Sequence, residues 1–126
     1  MLLALALQVP PPPVPESDVV VIGRKLDDWR SKLTFEKGRT TCITKVSTGD
    51  AEIDAIGCTA MSECFTKTLP AFDASQSKGL SRDERKRLMA VAEQAMKACL
   101  MPMRDELVQA LADQRLAARA AGGRTQ

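Results

Sequence analysis

Four cysteines, Cys42, Cys58, Cys64 and Cys99, are the residues of this 126-residue chain with the most direct chemistry, and the chain contains no histidine. Thiols at such positions can form disulfides, exchange with other disulfides or hold a metal, and their spacing decides among these. Exchange chemistry favours a C-x-x-C pair, which is absent. Structural zinc sites draw two ligands from a C-x₂₋₄-C knuckle, whereas the closest pair here, Cys58 and Cys64, is separated by five residues. Crosslinking is therefore the expected use. The lack of histidine removes the commonest general base, the serine–histidine and cysteine–histidine nucleophile pairs and most zinc hydrolase sites. Among the carboxylates, Asp50, Glu52 and Asp54 cluster where a helix is expected to start, and capping and the helix dipole account for acids there. Gly23 and Gly49 stand alone, so no glycine-rich phosphate loop is present. No catalytic, cofactor-binding or metal-ligating residues are expected.

These side chains need elements to hold them. Asp18 to Leu26, DVVVIGRKL, is β-branched and short, which predicts a strand with Gly23 at a bulge or end. Trp29, Ser31, Leu33 and Phe35 alternate with Arg30, Lys32, Thr34 and Glu36, the period of a half-buried strand. Lys37-Gly38 supplies a turn, and Thr40, Cys42, Thr44 and Val46 continue the alternation beyond it. Pairing across the turn places Cys42 and Val46 on the inner face with Leu33 and Phe35, and a one-residue slip would exchange the faces.

Ser47-Thr48-Gly49-Asp50 breaks the strand and opens a helix. Along it Ile53, Ile56, Ala60 and Cys64 form an apolar face, with Cys58 off that face. Leu69-Pro70 predicts an end or sharp kink, followed by a polar connection over Asp73 to Gly79. Ser81-Arg82-Asp83-Glu84 fits a capping box, and the helix it opens buries Leu88, Ala92, Ala95 and Cys99, flanked by Met89, Val91 and Met96. Pro102 predicts a kink or break at Met101, with a second amphipathic run through Met103, Leu107, Val108 and Leu111.

Four cysteines allow three connectivities. Between Cys58 and Cys64 a helix turns through about 240° net and rises about 9 Å, beyond the reach of a disulfide, so these two should not pair. Of the two remaining schemes, Cys42 with Cys58 and Cys64 with Cys99 is preferred, because Cys64 and Cys99 both lie on apolar helix stripes. Each bridge would contribute roughly 3 to 4 kcal/mol by chain entropy. That matters in a chain with three Phe, one Trp and no Tyr, whose interior must be filled by Leu, Val, Ile, Met and Ala.

Paired cysteines in a short chain imply an oxidising compartment. Met1 to Gln8, MLLALALQ, resembles the end of a secretory signal's apolar core; it lacks the basic start and full length of one, so the reading frame is expected to begin further upstream, with mature protein starting between Leu7 and Val9. Val9 to Ser17 is a proline-rich spacer, residues 18–116 form one domain, and residues 117–126 fade into a frayed tail. Net charge is +2, with 18 basic and 16 acidic residues, which does not point to nucleic acid. No stretch is long enough to span a bilayer.

The stretch GRTTCITKVSTGDAEIDAIGC, Gly38 to Cys58, resembles the middle of the C-terminal domain of TonB-type envelope proteins, in which a strand, a Ser-Gly turn and an acidic helix start are followed by a Pro-Ala pair. Ser47, Gly49, Ile53, Asp54, Pro70 and Ala71 match that pattern, over about a quarter of the chain. The resemblance implies an envelope setting and a strand-to-helix unit. The expected molecule is an exported α+β domain, with a two- or three-stranded antiparallel sheet packed against three or four helices and stapled by disulfides. Its expected role is a noncatalytic envelope protein-interaction module, whose open strand edge would be Asp18 to Leu26. The alternative is a small enzyme or enzyme inhibitor using carboxylate or arginine side chains, with Asp50, Asp54 and Arg24 as the candidates.

Overall fold

The computed structural model of the protein describes Pro10 and residues 16–123. Its elements are α1 (Asp18–Asp28), β1 (Arg30–Glu36), β2 (Arg39–Val46), α2 (Ala51–Ser75) and α3 (Arg82–Gly123). The signal-like segment, most of the proline-rich stretch and residues 124–126 lie outside the described residues. Among the described residues the architecture is α+β: one two-stranded antiparallel sheet, three helices and two disulfides.

The first correction is α1, which is a helix where a strand was expected. Ser17 caps it by accepting from the Val20 amide at 3.4 Å, and Asp18 sits in its first turn. Ile22 and Leu26, one turn apart, are buried at 1% and 6% exposure. Burial of that stripe against α2 and α3 outweighs the strand preference of Val19, Val20, Val21 and Ile22. Gly23 marks no bulge: it lies inside the helix, and its carbonyl accepts from Arg104 Nη2 at 2.7 Å.

The hairpin closes on Lys37 and Gly38, with φ of 52° and 75°. Two successive positive φ values are what a two-residue turn of the primed type requires, because its twist matches that of the strands. Leu33 pairs with Cys42 and Phe35 with Thr40. An irregularity between Arg30 and Ser31 shifts the register at the open end, where Arg30 meets Val46. Val46 is therefore not on the inner face as expected; it is 49% exposed, and Phe35 near the turn is 42% exposed. Trp29 is not a strand residue either. It terminates α1, and its buried indole donates to Thr44 Oγ1 at 3.1 Å.

α2 begins at Asp50, whose carboxylate accepts from the amides of Glu52 and Ile53. It buries Ile53, Ile56, Gly57, Ala60, Cys64, Thr68 and Ser75 along one side. Pro70 does not end it, and Pro102 does not break α3. Both prolines are exposed, so the carbonyls they leave without intrahelical partners, those of Thr66 and Ala98, are on the solvent side, where water replaces a lost helical bond. The Pro70–Ala71 pair consequently lies within a helix, and the connection expected over Asp73 to Gly79 is reduced to the residues after Ser75. Ser81 caps α3 by accepting from the Glu84 amide at 3.1 Å. The tail expected from Ala117 stays helical through Gly123, with Arg119 paired to Asp18 of α1.

α2 is the central layer. The hairpin covers one side of it, mainly through β2, and α3 runs along another. α1 fills the angle between α2 and α3, which gathers Ile22, Leu26, Trp29, Ile53, Ile56, Val108, Leu111 and Ala112 into the main core. Beyond that core the far half of α2 and the first half of α3 pair through Cys64, Ala92 and Met96.

Candidate functional site

The two crosslinks tie α2 to its neighbours in opposite directions. Cys42 of β2 is bonded to Cys58 and Cys64 to Cys99 of α3, each with Cα atoms 5.6 Å apart. No cysteine is free among the described residues. The helical rotation between Cys58 and Cys64 separates the faces they occupy, so one bridge faces the sheet and the other faces α3.

The carboxylates singled out in the sequence hold structure. Asp54 Oδ1 accepts from the Thr48 amide at 2.8 Å and the Thr48 hydroxyl at 2.7 Å, and Oδ2 accepts from Ser47. The hydrogen bond from Ser47, followed by those from Thr48, holds the Asp54 carboxyl below its ordinary value. Asp50 accepts from Arg115 Nη2 at 2.7 Å in addition to capping α2. The Arg115 bond is the main cause that lowers the Asp50 carboxyl, with the Ile53 and Glu52 amides adding to it against the cost of partial burial. A general acid needs its pKa raised toward the working pH, and both groups are moved the other way. Arg24 is bonded to Glu16 at 2.9 Å, and both side chains are exposed.

Several clefts indent the surface formed by the described residues. One of about 500 Å³ lies between the start of α1 and the end of α3, lined by Val19, Ala112 and Leu116 with Asp18, Asp113 and Arg119. Its guanidinium is already paired with Asp18. A second, of about 150 Å³, is apolar and is bordered by Leu26, Ile56, Gly57, Met61 and Met101. Arg104 at its rim is spent on Gly23 and Asp27. Neither cleft is lined by Asp50, Asp54 or Arg24. Among the described residues no three His, Cys, Asp or Glu side chains converge as a metal site requires, and no helix is long and apolar enough to cross a membrane.

The feature the sequence misplaced is the open strand edge. It belongs to β1, because Asp18 to Leu26 is helical and the sheet has two strands. A two-residue turn closes on a mutually bonded pair, here Glu36 and Arg39, and antiparallel bonding alternates residue by residue from there. Ser31, Leu33 and Phe35 thus direct their backbone N–H and C=O groups away from β2. Among the described residues no backbone bond outside the hairpin reaches β1. The helical stripe of Val19, Ile22 and Leu26, together with Ser17-Asp18 as a cap, is the signal that would have moved the edge to its correct strand. Searched against known protein families, curated proteins and solved structures, the chain matches none.

Proposed function

We propose that this protein is a noncatalytic interaction module of the cell envelope, which presents the outer edge of β1 to a protein partner. The observation that carries the reading is that edge: a seven-residue strand with its outward backbone groups unused, on a hairpin anchored to α2 by the Cys42–Cys58 bridge. An unpaired edge is a template for strand addition, and a covalent staple behind it reduces the ordering that binding would otherwise demand. Two disulfides favour an oxidising compartment, and the similarity of Gly38 to Cys58 to TonB-type envelope domains points the same way. The engaged carboxylates Asp50 and Asp54 weigh against the enzymatic alternative.

Site-specific photo-crosslinking in the native cell tests this. A photoreactive residue at Lys32 or Thr34 is expected to give discrete protein adducts, while the same residue at Val91, exposed on α3 far along the chain, gives none. Absence of adducts from β1, or the same adducts from Val91, would overturn the reading.

A further inference from the structure

The charge pattern of β1 is complementary to itself, and we infer that the partner taken up by its edge is a second copy of this chain, forming a continuous four-stranded sheet in the order β2-β1-β1-β2. This rests on the interaction reading above and gives it a specific partner. An antiparallel strand pair related by a two-fold axis through the sheet keeps the same faces on the same side, so only residues of equal parity can stand opposite each other. Centred on Leu33, the seven residues Arg30 to Glu36 overlap completely. Arg30 then faces Glu36 of the other copy at both ends, Ser31 faces Phe35, and Lys32 faces Thr34. Centring on Lys32 would set that lysine against its own copy, which is destabilising. Centring on Thr34 shortens the overlap to Lys32–Glu36. The outer edge of β2 lacks this property: its strand, RTTCITKV, carries no acid, and centring it on Cys42 sets Arg39 against Lys45.

The faces agree with the edge. α2 lies over β2, to which it is joined by Cys58 and by the hydrogen bond between Thr66 and Thr40. In the joined sheet the two α2 helices would be about three strand spacings, roughly 14 Å, apart, wider than the 8–10 Å of direct helix packing. The furrow between them is floored by the two copies of Leu33 and Phe35. Phe35, 42% exposed in the single chain, gains cover there from the diagonal Leu33 of the other copy, within reach of an aromatic side chain. Arg30 spends Nη1 on the carbonyls of Asp27 and Trp29, and a guanidinium has donors beyond that nitrogen for Glu36.

Sedimentation velocity on the full oxidised chain over a range of concentrations is the test, with far-UV circular dichroism and disulfide mapping confirming the fold of each variant. The wild type is expected to dimerise reversibly. Arg30→Glu and Glu36→Arg should each raise the dimer dissociation constant by about tenfold or more, since two attractive cross-strand pairs become repulsive. Mixing the two variants should restore association, because a mixed pair places opposite charges at both ends. The double variant R30E/E36R restores opposite charges at both ends and should dimerise like the wild type, and adding Arg39→Glu keeps an opposite charge facing position 36 within the hairpin. Lys32→Glu, opposite Thr34 and only diagonal to Glu36 of the other copy, should raise the constant less than Arg30→Glu does. A wild type that stays monomeric to about 1 mM, where even millimolar dissociation constants register, or a mixture that fails to reassociate, would overturn self-pairing. Loss of dimer in Lys32→Glu with none in Arg30→Glu would overturn the register. If the wild type is monomeric while photo-crosslinking at β1 captures a different protein, self-pairing falls and the interaction reading stands.

Discussion

The ring of Trp29 occupies the space where a side chain at position 57 would begin. A Cβ built on Gly57 falls 2.7 Å from Cδ2 and Cε2 of the indole, well inside the roughly 3.5 to 4.0 Å at which non-bonded carbon atoms pack. Gly57 is thus the point at which the end of α1 docks on the second turn of α2, and the indole N–H reaching Thr44 carries the same contact on to β2. One aromatic residue joins three elements.

Glycine inside a helix ordinarily costs about 0.5 to 1 kcal/mol relative to alanine, so an alanine at an open helical glycine stabilises. Gly57→Ala should instead destabilise by roughly 1 to 3 kcal/mol, the cost of overpacking a filled site. Urea unfolding followed by the fluorescence of Trp29, the one tryptophan, reads both the stability and the displacement of the ring. A raised midpoint would mean that the two elements do not meet there.

Ser81→Ala removes the side chain that accepts the Glu84 amide. The expected loss is about 0.5 to 2 kcal/mol, seen as a lowered urea midpoint with an unchanged slope. An unchanged midpoint would show that α3 gains nothing from this cap.

The loop from Ser47 to Asp50 gives the fold an acid-sensitive joint. Asp50 and Asp54 have folded pKa values below their ordinary 3.8, so the folded state binds protons less readily than the unfolded chain. Their contribution is complete above the ordinary carboxylate range and is lost as pH falls through the depressed folded values. Asp54→Asn should therefore be less stable than the wild type at pH 7, and the difference should shrink as pH falls below about 4, where the aspartate of the unfolded chain is largely protonated and that of the folded state follows. Thermal unfolding across this range checks the sign; a constant difference at all pH values would contradict it.

Replacing Cys64 and Cys99 together by Ala should lower stability by roughly 2 to 5 kcal/mol while leaving the Cys42–Cys58 bridge in place. The reciprocal pair should behave likewise, with a smaller entropic loss because it closes 16 residues of chain where the other closes 35. Reshuffling of the remaining cysteines in either variant would show that the bridges are interchangeable, against the two-sided clamp on α2.

What could be read from the sequence was whatever depends on local chemistry. The alternation from Ser31 to Thr44, the Lys37-Gly38 turn and the caps at Asp50 and Ser81 follow from spacing along one strand or helix, and the pairing of Cys64 with Cys99 follows from the apolar stripe that each of their two helices carries. Asp18 to Leu26 did not, because its β-branched run favours a strand locally and only burial of Ile22 and Leu26 against α2 and α3 makes it helical. Pro70 and Pro102 were equally opaque, since whether a proline breaks a helix depends on which side it faces. The parity of Trp29 with Leu33 suggests a strand, whereas its place is set by a contact with Gly57, 28 residues further along the sequence. The open strand edge follows the same rule: local sequence points to Asp18 to Leu26, and tertiary burial moves it to β1.

A disulfide-stapled module working in an oxidising compartment keeps its four cysteines paired in the cell, and trapping of thiols in intact native cells shows whether it does. Cells are quenched with an alkylating reagent, and the protein is isolated and digested without reduction for peptide mapping by mass spectrometry. The expected result is two linked peptide pairs, one containing Cys42 with Cys58 and one containing Cys64 with Cys99, and negligible alkylation of any of the four. Recovery of all four cysteines as alkylated thiols would contradict the compartment and the envelope function together, and a Cys42 to Cys64 peptide would contradict the clamp around α2.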